Sequence, residues 1–232
     1  AYYTTVQLER GWTPPGEELV AHVRCMTPDG KPVRVDGVVT ISEVAHGGRG
    51  NAVIDQTEVD RWQASTDERG ELVIRLRPEK SGQVVIAFEA PDEWGGTVKG
   101  YGLAWIWGQD FDGKLYRFND LELITDKRTY RPGETARVMI NTKRLDSWVL
   151  FADQVDNNAI LSWRMLHLPN RTTVVDVPIV KAGEPNFFIE ALTISDTRMH
   201  TQVKRICVPP EDGVIEVSVE SDKPEYGPGD QA

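Results

Sequence analysis

The sequence predicts an all-β protein: tandem antiparallel β-sandwich domains of the immunoglobulin/fibronectin kind. Three observations lead there. Apolar and polar residues alternate with period two along most of the chain, turn residues recur between the alternating runs, and one string of residues appears twice without gaps. Such alternation puts one strand face in a core and the other in water, as antiparallel sheets require.

Alternation is plainest in three runs. Leu72, Ile74 and Leu76 share one face while Glu71, Arg75 and Arg77 share the other. Ala136, Val138 and Ile140 alternate with Arg137 and Asn141, and Val175, Val177 and Ile179 repeat the pattern. Pro28-Asp29-Gly30, Glu68-Arg69-Gly70, Asp112-Gly113 and Asp156-Asn157-Asn158 supply turns, at the spacing of about 8–12 residues typical of sandwiches. No window of about 12 residues carries a helical apolar stripe.

The repeat divides the chain. Asp126-Lys127-Arg128-Thr129-Tyr130-Arg131-Pro132-Gly133-Glu134-Thr135-Ala136 recurs as Asp222-Lys223-Pro224-Glu225-Tyr226-Gly227-Pro228-Gly229-Asp230-Gln231-Ala232, with seven of eleven positions identical or exchanging Glu for Asp. A weaker copy is Trp12-Thr13-Pro14-Pro15-Gly16-Glu17, which has one extra residue before its Pro-Gly. The chemistry explains the string. The aromatic can plug the open end of a sandwich, Pro fixes φ at a turn, Gly takes φ > 0, and the acid opens the next strand. Trp12, Pro15, Gly16, Tyr130, Pro132, Gly133, Tyr226, Pro228 and Gly229 are therefore expected to be structural corner residues. The expected units are residues 1–118 and 119–213, each a seven-stranded sandwich, and 214–232 as the truncated start of a third. That last stretch is expected to be disordered or packed on the second unit.

Composition removes several function classes. With 26 Lys+Arg against 36 Asp+Glu in 232 residues, the net charge is −10, which argues against a nucleic-acid or anionic-membrane partner. The longest apolar runs, such as Val84-Val85-Ile86-Ala87-Phe88, are far too short to insert in a bilayer. Beginning at Ala1 with no signal pattern, the chain is expected to be a mature protein or an excised piece. Two cysteines exclude a disulfide-rich scaffold and any multi-cysteine metal site.

No side-chain constellation points to catalysis, a metal or a cofactor. Cys25 lies in line with Ala21 and Val23, as a core thiol does, and Cys207 falls in the other unit, so the two are poor partners for a bridge. His22, His46, His167 and His200 are isolated, without the paired spacing of zinc ligands. Asp110-Phe111-Asp112-Gly113 begins like a calcium loop, but Lys114, Arg117 and Leu121 supply no further oxygens, and an Asp-Gly turn explains it. His46-Gly47-Gly48-Arg49-Gly50 leads toward a strand rather than a helix, so it offers phosphate no helix N-terminus. The carboxylates are scattered, and nothing selects a catalytic pair. Trp105 and Trp107, two residues apart, project from one sheet face and, with Trp94 or Trp62, could form an aromatic surface for a sugar; the array context favours core or interface instead.

The repeated string after an alternating strand resembles the opening of macroglobulin-like domains in the alpha-2-macroglobulin family. Thr27-Pro28-Asp29-Gly30-Lys31-Pro32-Val33 looks like the family's B–C hairpin and Thr66-Asp67-Glu68-Arg69-Gly70 like its following turn. Glu184-Pro185-Asn186-Phe187-Phe188-Ile189-Glu190, then Ile206-Cys207-Val208-Pro209-Pro210, resemble the family's run through the domain before the bait-bearing one. The resemblance covers essentially the whole chain, most closely 121–232. It implies the fourth and fifth macroglobulin-like domains of a bacterial-type member, followed by the first strand of the sixth. The family's thioester core, Cys-x-x-Gln, is matched neither at Cys25 nor at Cys207, and the bait is expected beyond residue 232. What the resemblance implies is a non-catalytic, cofactor-free scaffold segment of an extracytoplasmic protease trap. Its partners are neighbouring macroglobulin domains and, through the full-length protein, target proteases. The alternative from another class is a carbohydrate- or cell-surface-binding sandwich array using exposed tryptophans.

Overall fold

The computed structural model describes residues 1–47, 53–108, 111, 113, 116, 118–155 and 159–210; the third copy of the repeated string, with Tyr226, Pro228 and Gly229, lies outside them, as do parts of the 46–50 and 110–113 loops and the 156–158 turn. The all-β class holds. Fifteen strands and one 3-10 turn, Lys181–Gly183, make up the regular structure of the described residues.

Four sheets form two groups. In the first group β1 (Tyr3–Leu8), β3 (Leu19–Met26) and β6 (Glu71–Leu76) form one sheet in the order β1-β3-β6. It faces a five-stranded sheet of β2 (Trp12–Thr13), β8 (Thr97–Ile106), β7 (Gly82–Pro91), β4 (Asp36–Gly47) and β5 (Val53–Ser65), in that order. In the second group β13 (Thr172–Pro178), β10 (Thr135–Thr142) and β9 (Leu121–Thr125) face β12 (Ala159–Leu168), β11 (Ser147–Val155), β14 (Asn186–Ser195) and β15 (Arg198–Cys207). Among the described residues no strand pairing joins the groups.

Alternation built each core. Ala21, Val23 and Cys25 of β3 meet Ile86, Phe88 and Ala90 of β7 between the first two sheets. Ala136, Val138 and Ile140 of β10 meet Phe151 of β11 and Ile189 and Ala191 of β14 between the other two.

Three details differ from the expectation. The first group has eight strands rather than seven, because Trp12 and Thr13 form a short extra strand. That strand pairs parallel with Trp105 and Ile106 of β8, whereas the other sheet pairings are antiparallel. And β10 is buried on both faces at its centre rather than on one: Met139, which shares the parity of Arg137, is 0% exposed because it packs against the first group.

Candidate functional site

The site that the sequence string builds is a corner. In the second group the backbone leaves β9 at Thr125 and re-enters at β10, and Tyr130, 1% exposed, folds back into the core between. Its hydroxyl donates to Asp126 Oδ1 at 2.7 Å and accepts from the Lys127 N–H at 2.9 Å. Asp126 Oδ1 also accepts the Arg137 N–H at 2.8 Å, and its second oxygen lies 3.5 Å from Arg137 Nε. Burial first, then the hydrogen bond to Asp126 and that carboxylate's charge, pushes the Tyr130 phenol well above its ordinary range. Glu134 accepts the Arg131 N–H at 2.9 Å and pairs with Lys127 Nζ at 3.1 Å, which holds its carboxyl below the usual range. Gly133, at φ +88°, donates to Ile179 O at 2.8 Å and locks the corner to the end of β13.

The first copy repeats this geometry with one change. Gly16 has φ +79° and donates to Pro78 O at 2.8 Å, as Gly133 does to Ile179. Each acid's N–H closes the same tight turn, Glu17 onto Pro14 O and Glu134 onto Arg131 O. The aromatic goes elsewhere. Trp12 joins a cluster with Trp105, Phe111, Phe118 and Met139, between the two sheet groups, instead of the core of its own group.

Arg137 ties the two copies together. Its carbonyl accepts Trp12 Nε1 at 3.3 Å, its guanidinium lies 4.9 Å from the Trp12 ring centroid, and Nη2 lies 3.9 Å from Glu17. The same side chain pairs with Asp126. Two strings 117 positions apart in sequence (Gly16 to Gly133) thus share one cation.

Trp105 and Trp107 belong to this junction. Trp105 is 3% exposed and stacks on Phe118 at 5.3 Å with an interplanar angle of 10°. Trp107 is half-buried and meets Trp12 edge-on at 6.1 Å. An aromatic surface at this pair is therefore corrected to an interior contact. Phe111, Tyr116 and Phe118, which follow β8 in the chain, pack against Trp105.

Exposed aromatics sit on a face that the sequence reasoning missed. Trp148, Leu150 and Ala152 of β11 stand opposite His167, Met165 and Trp163 of β12, and Ile194 of β14 stands opposite Met199 of β15. Directly opposed residues share a face. Trp148, Trp163, Met165, Ile194, Met199 and Val203 are each at least half exposed, on the side away from Val149, Phe151, Ile189 and Ala191. The available signal was β12 itself, Ala-Ile-Leu-Ser-Trp-Arg-Met-Leu-His-Leu, where apolar residues occupy both parities.

Cys25 is buried, and burial raises its thiol pKa; Cys207 is exposed, and both are free. His22 and His167 bond single carboxylates, Glu9 at 2.7 Å and Asp146 at 2.5 Å. No cluster of three metal-ligating side chains occurs among the described residues. No helix among them is long and apolar enough to cross a membrane.

Comparison with known proteins gives one family match. Residues 121–232 match the model of the alpha-2-macroglobulin bait region domain. No curated protein sequence matches. Among solved structures, the chain is similar to trypsin-activated alpha-2-macroglobulin from Escherichia coli at 14% identity and TM-score 0.35, over 99% of this chain and 19% of that one. It is similar to a Salmonella alpha-2-macroglobulin variant at 13% identity and TM-score 0.33, over 90% and 16%. It is also similar to a tetra-tandem repeat from the extending region of a large adhesion protein at 13% identity and TM-score 0.32, over 90% and 49%. The chain spans about a fifth of the Escherichia coli protein. The family model over 121–232, just under half of the 232 residues, is the match that supports the alpha-2-macroglobulin family for this chain.

Proposed function

We propose that the chain is a non-catalytic scaffold segment of an alpha-2-macroglobulin-type protease trap. The observation that carries this reading is the bait-region-domain match over 121–232. In this reading residues 1–118 and 119–213 are the fourth and fifth macroglobulin-like domains and 214–232 begins the sixth. The parent is extracytoplasmic, and bait and capture chemistry lie outside the segment. The physical task is to hold those parts at a fixed distance, which needs a stiff contact between units. The shared Arg137 and the aromatic cluster supply one.

Digestion with several proteases of different specificity tests the assignment. The segment is expected to inhibit none of them and to lack a common hypersensitive site within residues 121–210. One region cut first by all the enzymes there places the bait inside the segment and overturns the scaffold reading. Reading the parent gene past residue 232 is the companion check, with a further macroglobulin-like strand pattern expected.

One observation favours a second reading, a carbohydrate- or cell-surface-binding array. Trp148 and Trp163 are solvent-facing on one sheet, as a sugar platform requires. Specific glycan-array binding abolished by Trp163→Ala supports it, and a blank array removes it.

A further inference from the structure

Where the two sheet groups meet, a groove carries a charge opposite to that of the molecule. It has a volume of about 460 Å³ and is lined by Leu8 of β1, Leu103 of β8, Ile124 of β9, Arg128, and Lys204 and Arg205 of β15. A second recess of about 470 Å³ continues it, sharing Leu8 and Arg128. The net charge of the chain is −10, so this concentration of cations is a local exception.

Among the described residues Arg128, Lys204 and Arg205 are in no ion pair. Arg10, which also reaches the groove, is held by Glu17 at 3.0 Å. The nearby acids are committed as well: Glu9 to His22, Glu17 to Arg10 and Arg137, and Asp126 to Tyr130 and Arg137. Arg128, Lys204 and Arg205 have no carboxylate within ion-pair distance among the described residues, whereas Arg24, Arg61 and Arg75 elsewhere each have one.

The walls are strand edges. β1, β9 and β15 are each the last strand of their sheet. Outer strands carry unpaired backbone N–H and C=O groups, which an extended polypeptide can use and a small anion cannot. The apolar side chains between the cations suit a segment that alternates acidic and apolar residues.

We propose that this groove binds an extended acidic peptide segment, placing its carboxylates on Arg128, Lys204 and Arg205 and its apolar side chains over Leu8, Leu103 and Ile124. Both sheet groups contribute walls, so an occupant bridges them. The inference stands on this geometry and not on the family reading.

Fluorescence anisotropy of the intact chain with a labelled peptide of alternating Glu and Val tests it. Saturable binding is expected at low salt, weakening as salt rises. Arg128→Glu/Lys204→Glu/Arg205→Glu should weaken it at least about tenfold, and single Gln substitutions about two- to fivefold each. The charge-matched control Lys31→Glu/Arg61→Glu/Arg75→Glu should retain the affinity, with thermal unfolding confirming that each variant is folded. The proposal fails if binding does not saturate, if the control loses as much, or if inorganic tripolyphosphate displaces the peptide with equal affinity, which marks a simple anion site. Because the single substitutions remove only exposed or half-exposed charges, unchanged affinity in all three overturns it even if the triple variant does not fold.

Discussion

Tyr130 and Asp126 hold each other in a buried, mutually dependent arrangement. Neither is costly while paired, because the phenol supplies the proton and the carboxylate accepts it together with the Arg137 N–H. Tyr130→Phe keeps the ring in the core but removes one donor from Asp126 and the acceptor of the Lys127 N–H. A loss of about 1–3 kcal/mol is expected from chemical denaturation. The pair also predicts a pH dependence. Below the ordinary phenol pKa of 10.0 both folded and unfolded chains keep the proton, so the contribution is intact. Above it the unfolded chain releases the proton while the folded chain holds it, so stability falls as pH rises. Wild type should therefore lose about 1 kcal/mol more than Tyr130→Phe for each pH unit above about 10. Equal slopes for the two proteins contradict this.

At the scale of elements, the glycines decide where strands begin. A Cβ on Gly133 or Gly16 meets nothing within 4 Å, so any cost of substitution comes from backbone conformation and not from space. Gly133→Ala should cost about 1–2 kcal/mol and Gly133→Asn less, because Asn tolerates the left-handed region. Equal losses from Ala and Asn, read as shifts in the unfolding midpoint, argue for a steric role instead. Gly100 is a contrasting case: its Cβ meets Thr4 O at 2.9 Å, so here the close crossing of β1 over β8 excludes a side chain.

For the whole molecule, the junction determines whether two sandwiches behave as one body. Trp12 is 1% exposed and makes an edge-on ring contact, a hydrogen bond and a cation–π contact there. Trp12→Ala should cost about 3–5 kcal/mol at the contact and split unfolding into two calorimetric transitions, where wild type shows one. Arg137→Gln should act in the same direction but less, because its pair with the exposed Glu17 is screened by water and its backbone N–H keeps the bond to Asp126. A single transition in Trp12→Ala, at the wild-type midpoint, removes the coupling role.

How much of this was legible follows from the range of each interaction. Period-two alternation in β3 and β10 is local, and local sterics act the same wherever the segment lies, so the all-β class could be read directly. The sequence by itself also determined the opposite parity of Arg137 and Val138 on β10. It did not determine that Met139, with Arg137's parity, meets the Trp12 cluster, or that Trp105 is covered by Phe111, Tyr116 and Phe118. Those contacts join residues far apart in the chain, and only tertiary structure decides which apolar faces meet each other. The same holds for Arg128, Lys204 and Arg205: one strand contributes two of them and a corner the third, and packing brought them to one groove. The outer face bearing Trp148 and Trp163 makes the point in reverse, since an apolar pattern on both parities states how much can be buried but not which side the core takes.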